Sequence, residues 1–236
     1  MTVVFDAHTQ GNVNGATSHT LFHTVGSGSN RVLYVVSVCT NSTNLLATGT
    51  CSYGGTSLGS PIGERLITGN QFMYVWRMLA PPSGTANVVV TPSASAFLHT
   101  RVFSFSSVDQ TTPNGTIVSS GITSQTSPVS NTPTVLVGGM AFDMLSLKSL
   151  SRTMTPGASQ TQAGTTLSAG VSTSAASYRT DAPSMSWTFD GGTQSAIHIV
   201  VPVNPSSGGG GGGSAVGAGL TASPLLSSRL RRGLVR

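Results

Sequence analysis

Residues 31–40, RVLYVVSVCT, constrain the fold more than any other stretch of this chain. Side chains alternate across a strand with a period of two, so Val32, Tyr34, Val36 and Val38 fall on one face and Leu33, Val35, Ser37 and Cys39 on the other. Both sets are mostly apolar. Such a strand is expected to lie at the centre of its sheet and to be covered on both sides, by a facing sheet and by a loop or neighbouring subunit.

The rest of the sequence repeats the theme. Further apolar, β-branched runs are QFMYVWRML (71–79), TANVVVTP (85–92), FLHTRVFSFS (97–106), TVLVGGMAFD (134–143), SMSWTFD (184–190) and SAIHIVVPV (195–203). Weaker strand candidates are 2–7, 17–24, 45–53, 115–119 and 175–180. Turn residues punctuate them at Gly54 and Gly55, Pro81 and Pro82, Pro113 to Gly115, and Gly191 and Gly192. No segment carries a sustained helical stripe. The pattern predicts an all-β fold, one antiparallel β-sandwich or jelly roll over residues 1–205. No internal repeat stands out. Residues 144–180 are the least patterned and are expected to supply loops or edge strands.

Charge divides the chain unevenly. Charged residues make up 7% of the sequence, against about 25% in an ordinary soluble domain, so Ser, Thr, Asn and Gly must cover much of the surface. Residues 1–213 hold seven basic and six acidic side chains, 7 − 6 = +1, whereas 214–236 hold Arg229, Arg231, Arg232 and Arg236 and no acid. A nearly neutral body argues against a basic groove for nucleic acid. The amino terminus lacks the pattern of a secretory signal, and no apolar run approaches the ~20 residues of a membrane-spanning helix. Together these point to a protein made in the cytosol and exposed later, as virion proteins are. Cys39 and Cys51 are expected to be buried free thiols on successive strands, possible cross-strand neighbours.

After Pro205 the composition changes. Residues 206–213 read as a Gly-rich tether, since six consecutive glycines hold no preferred conformation. Residues 214–236 read as an extended C-terminal arm in which leucines recur between small and basic residues. Leu225, Leu226, Leu230 and Leu234 are expected to bind a partner protein, with Arg229, Arg231 and Arg232 fixing register.

The ordered pieces SHTLFHTVGSGSNRVLYVVSV (18–38), CSYGGTSL (51–58), YVWRMLAPPSGTANVVVT (74–91) and VFSFSSVDQTTP (102–113) resemble a β-sandwich module of phage structural proteins and bacterial surface proteins. The Gly-rich tail ending in leucine and arginine is similar to endings of phage structural proteins. The resemblance implies a sandwich fold and an exposed setting, and brings no catalytic residues with it.

Candidate sites read weakly against it. His19 and His23, four apart on a strand, stand about 13 Å apart at about 3.3 Å per residue, too far to share an ion. His99 and His198 lie in apolar strands with no carboxylate nearby in sequence. Asp6, Glu64, Asp109, Asp143, Asp181 and Asp190 are isolated, and a glycosidase pair would have to assemble through the fold. Asp109 is expected to cap a turn. No G-x-S-x-G elbow is present. Tyr74, Trp76 and Trp187 are expected in the core. The sequence therefore predicts a non-enzymatic phage virion structural protein, a capsid decoration (cement) protein, without cofactor or metal. Its expected setting is the virion, after synthesis in the host cytoplasm. Its expected partners are the major capsid protein or neighbouring subunits, including copies of itself. A receptor- or glycan-binding module of a tail fibre or adhesin is the alternative, and would show exposed aromatics beside Asn and Asp. A hydrolase is the third reading.

Overall fold

The computed structural model describes residues 1–67, 71–181 and 184–207. Among them are eighteen strands and no helix. The first nine are β1 (Val4–Ala16), β2 (His19–Val25), β3 (Val32–Thr40), β4 (Thr50–Tyr53), β5 (Thr56–Ser57), β6 (Gly63–Ile67), β7 (Gln71–Leu79), β8 (Gly84–Thr91) and β9 (Ala96–Ser106). They form a five-stranded sheet in the order β1-β9-β3-β7-β6 and a four-stranded sheet in the order β2-β8-β4-β5. The second nine are β10 (Val118–Gln125), β11 (Val129–Asn131), β12 (Met140–Leu147), β13 (Met154–Pro156), β14 (Thr161–Gln162), β15 (Leu167–Ala169), β16 (Ser172–Thr180), β17 (Met185–Phe189) and β18 (Gln194–Val203). Their inner sheet runs β10-β18-β12-β16-β14 with β15 also on β16, and their outer sheet runs β11-β17-β13.

The all-β sandwich expected from the sequence is present, and it is doubled. Three apolar layers separate four sheets. Leu33, Val35, Trp76 and Leu98 of the five-stranded sheet meet Tyr53 and Val88 of the four-stranded one. On the opposite face of the five-stranded sheet, Tyr34, Phe103 and Phe105 meet Phe142, Ile199 and Val201 of the second half. Beyond these, Leu145 and Ala175 meet Trp187 and Phe189 of the three-stranded sheet. β3 is the middle strand of its sheet, between β9 and β7, and its two faces alternate between the first two apolar layers as its sequence requires. The cover on its second side is another sheet of the same chain rather than a loop or subunit.

The two halves share one topology. Adding nine to the labels of β1-β9-β3-β7 gives β10-β18-β12-β16, and adding nine to β2-β8-β4 gives β11-β17-β13. Register follows the same rule: Val32 pairs with Leu79 and Phe105, and Met140 pairs with Thr180 and Val203. Left-handed residues recur at matching points. Two residues before these strands stand Asn30 (φ 51°) and Gly138 (φ 78°), and one residue after the paired strands stand Ala80 (φ 45°) and Asp181 (φ 47°). The halves also meet reciprocally, β1 lying against β15, the counterpart of β6, and β6 against β10, the counterpart of β1. That is the contact pattern of a two-fold dimer within one chain. Sequence periodicity does not expose this repeat, because the matching positions hold different residues: Val35 and its partner Trp76 in one half, Asp143 and its partner Ser177 in the other.

Three local expectations change. β12 starts at Met140, so residues 134–139 of the apolar run 134–143 precede the strand, with a turn at 137–138. Gly139 enforces this, since a Cβ there would lie 2.8 Å from Leu136 O and 2.9 Å from Val203 O. Within 144–180, β16 is an inner strand rather than an edge, its small residues Ser172 to Ala176 buried between layers. Cys39 and Cys51 are free and buried, but β3 and β4 belong to facing sheets, so they are not cross-strand neighbours.

The aromatic contact between the halves centres on Phe142, whose ring lies 4.7 Å from Phe103, 5.0 Å from Tyr34 and 5.6 Å from Phe105. Phe142→Ala is expected to cost about 3–5 kcal/mol. Because both halves share this layer, urea unfolding followed by near-UV circular dichroism should still show one transition, at a lower midpoint. Loss of one half alone would contradict a shared core.

Candidate functional site

Polar side chains gather at three places inside the stack. In the first half, alternation turns His19, Leu21, His23 and Val25 of β2 inward. There His19 Nδ1 lies 3.0 Å from Thr100 Oγ1, and His23 bridges Thr9 Oγ1 (2.9 Å, Nδ1) and Ser104 Oγ (3.1 Å, Nε2). Ser104 donates onward to Asp6 Oδ2 at 2.7 Å, and Gly26 N donates to the same oxygen at 2.8 Å. The carboxylate thus serves the serine and not the histidine, so this chain of bonds ties β1, β2 and β9 together without the order of a nucleophile-activating triad.

In the second half, Asp143 of β12 collects four donors. Ser177 N (2.8 Å) and Oγ (2.7 Å) bond Oδ1, while Trp187 Nε1 (2.8 Å) and His198 Nε2 (2.9 Å) bond Oδ2. Asn131 Nδ2 donates to His198 Nδ1 at 3.1 Å and to His198 O at 3.2 Å, which assigns the ring proton to Nε2. Asp143, Ser177, Trp187 and His198 are all fully buried. With each position of the pair filled by protein, its geometry binds sheet to sheet. Asp143 interrupting the apolar run MAFDMLSL is the sequence signal for it, although only register brings it near His198.

The third cluster joins the halves. Arg101 is fully buried and donates to Ala163 O (2.9 Å), Thr165 O (3.0 Å) and Ser174 O (2.9 Å) of the second half and to Gln10 Oε1 of the first. Burial pulls its pKa down to about 9. Three carbonyl dipoles and an amide take the place of a carboxylate. His99 beside it bonds Ser174 Oγ at 2.8 Å.

Open clefts lie elsewhere. They measure about 520 Å³ around Glu64 and Tyr74, 450 Å³ around Arg77 and Leu58, 290 Å³ around Asp190 and Phe189, and 170 Å³ around Asp109 and Ser206. Each of these four carries a single Asp, Glu, Lys or Arg. Among the described residues no three His, Cys, Asp or Glu side chains gather closely enough to hold a metal ion. Asp109 caps its turn, accepting from Thr111 N at 2.8 Å and Thr112 N at 2.9 Å; these bonds, that from Thr112 foremost, lower its pKa. Tyr74, Trp76 and Trp187 are core residues, at most 4% exposed, and Phe22 on β2 is the aromatic side chain left open, at 72%.

Both ends of the body meet at one place. Met1 N donates to Ser206 O at 3.1 Å, Ser206 N to Ser107 O at 2.8 Å, and Val3 N to Gly138 O at 2.8 Å. The sequence of tether and arm continues from this point. Leu225, Leu226, Arg229, Leu230, Arg231, Arg232 and Leu234 lie outside the described residues. Compared with protein-family models, curated proteins and solved structures, the chain matches none.

The buried histidines set the acid limit of the fold. Burial is the leading cause that lowers His19, His23 and His99 to about 4 and His8 to about 3, from 6.5. Between those values and 6.5 the unfolded chain binds protons that the fold does not, so full stability is held above pH 6.5 and lost as pH falls toward 4. Each histidine contributes up to about 1.4 kcal/mol per pH unit. Urea midpoints measured from pH 7.5 to 4 should fall steadily below pH 6.5, and a flat profile would contradict this burial.

Proposed function

We propose that this is a virion structural protein, a capsid decoration protein whose β-body is held to the particle through residues 214–236. The observation that carries this reading is the closure of the body at Ser206. There Asn204 and Ser206 are bonded to Met1, Ser107, Asp109 and Pro113, and among the described residues the apolar layers are built from residues 3–203. The apolar residues of the arm follow this closure in the sequence, and they suit a partner surface. The near-neutral Ser/Thr surface, the module resemblance over 18–113 and the arrangement of arginines among leucines support the same reading.

The test uses particles assembled without this protein. The full chain should decorate them, and a chain ending at Ser207 should stay folded and fail to bind. Charge reversal at Arg229, Arg231 and Arg232 should weaken attachment, with moderate salt reducing it only in part. Full occupancy by the truncated chain would overturn the reading, and a steep salt dependence with DNA binding by the arm would reassign the arginines to phosphates.

One observation favours a glycan-binding role. Phe22 stands open on the outer four-stranded sheet, directly across from Asn87 and two pairs from the Thr24–Thr85 hydroxyl contact of 2.7 Å. On a glycan array, selective binding by the full chain that disappears in Phe22→Ala would support that role, and uniform background would remove it.

A further inference from the structure

β1 and β2 follow one another in the chain, and each is the terminal strand of its sheet. β1 is paired with β9 alone and β2 with β8 alone. The two also pack on each other: a Cβ on Gly11 would lie 2.6 Å from Leu21 Cδ2 and 3.0 Å from His19 Nε2. Residues 1–25 can therefore leave the body as one unit, with every other ladder intact.

This unit holds three of the five histidines, His8, His19 and His23. His19 and His23 are buried, and their rings bond the hydroxyls of Thr100, Thr9 and Ser104. His8 keeps its Nε2 buried without a partner. The titratable groups around them are Asp6 on β1, His99 and Arg101 on β9, Tyr53 on β4 and Tyr178 on β16, with Asp143 on β12 acting on Arg101. β8 and β15 carry no charged side chain. Asp6 Oδ2 already accepts from Ser104 Oγ and Gly26 N. A proton added to these rings therefore puts more positive charge beside a buried guanidinium.

The second half supplies the control. The counterparts of β1 and β2 are β10 and β11, terminal strands of their own sheets, and residues 118–131 include no Asp, Glu, His, Lys or Arg. Cross-strand register makes Ile197 and Ile199 the counterparts of His99 and Arg101. The fold thus forms without ionisable groups at these places, and their presence in one half alone gives that half a property the other lacks.

We infer that residues 1–25 form an acid-released flap: protonation of His8, His19 and His23 detaches β1 and β2 from β9 and β8 while the remaining sheets stay folded. Release bares the edges of β9 and β8. It also breaks the bonds from Met1 N to Ser206 O and from Val3 N to Gly138 O, so the point where the chain leaves the body loosens in the same step. Burial, the leading cause, holds His19 and His23 at about 4 and His8 at about 3, against 6.5 once released. Release takes up protons between those values, so the flap is held above pH 6.5 and let go as pH falls toward 4. From pH 7.5 to 5 each of the three shifts the equilibrium toward release by at least about tenfold.

Hydrogen exchange on the full chain from pH 7.5 to 4, corrected for the intrinsic pH dependence of amide exchange, tests this. β1 and β2 should lose protection at a higher pH than β12 and β16. His19→Gln/His23→Gln keeps hydrogen-bonding groups that do not titrate, and its β1 and β2 should stay protected to a lower pH than in the parent. Thr24→Cys/Thr85→Cys gives a second handle if that variant does not fold, since the two exposed hydroxyls face each other across β2 and β8 at 2.7 Å. Its oxidised form should keep β2 protected at a pH where the reduced form has lost it. Loss of protection in all four strands at one pH would overturn the inference. So would a glutamine variant or an oxidised cysteine pair that releases β2 at the parent's pH.

Discussion

Everything in this fold depends on two sheets that are apolar on both faces. A sheet with one buried face needs one partner, and a two-layer sandwich satisfies it. The five-stranded sheet has Val32, Tyr34, Val36 and Val38 on one side of β3 and Leu33, Val35 and Cys39 on the other, all buried. Its counterpart in the second half has Phe142 and Met144 on one side of β12 and Ala141 and Leu145 on the other. Each requires two covers. Stacking the inner sheets against each other supplies one cover to both, and the smaller outer sheets supply the rest. Four layers follow from that double requirement.

The same stacking decides where the polar chemistry goes. Arg101 sits in the inner layer without a carboxylate, and three backbone carbonyls of the opposite half compensate it. An unpaired buried charge is costly, so these bonds are as specific a lock between the halves as the aromatic contacts around Phe142. Asp143 and His198, bonded to Trp187 and Asn131 of the outer sheet, play the corresponding part between the inner and outer sheets of the second half. Both clusters hold residue types used in catalysis; Asp143 and His198 are bonded within the fold through both side-chain ends, and Arg101 through both terminal nitrogens while its Nε is buried without a partner. What the body presents outward is nearly neutral and hydroxyl-rich, with scattered exposed apolar side chains of which Val137 and Phe22 are the most open.

Much of this was legible in residues 31–40. Alternation there predicts a central strand covered on both sides, and the burial of β3 agrees. The identity of the second cover was not legible, because it depends on a duplication whose halves share register and left-handed positions rather than side chains. β16 was obscured for a related reason: STSAAS has no apolar alternation, yet its small residues fit between Trp187 on one side and the inner layer on the other. The run TVLVGGMAFD misleads in the opposite direction. Its β-branched residues promise a strand through Val135 and Val137, whereas Gly138 and Gly139 turn the chain and leave Leu136 and Val137 outside. The Asp143–His198 contact depends on cross-strand register, which residue spacing alone does not reveal. The arm residues from Leu225 to Leu234 lie outside the described residues, so their role rests on sequence and on where the body ends.

Function on this view lies at one end of a closed body. Hydrogen exchange on the full chain, free and then bound to its particle, tests that most directly. Protection gained on binding should appear in residues 214–236, with the outer four-stranded sheet around Phe22 exchanging as in the free chain. Protection appearing on that sheet while 214–236 exchanges at the free rate would contradict attachment through the arm.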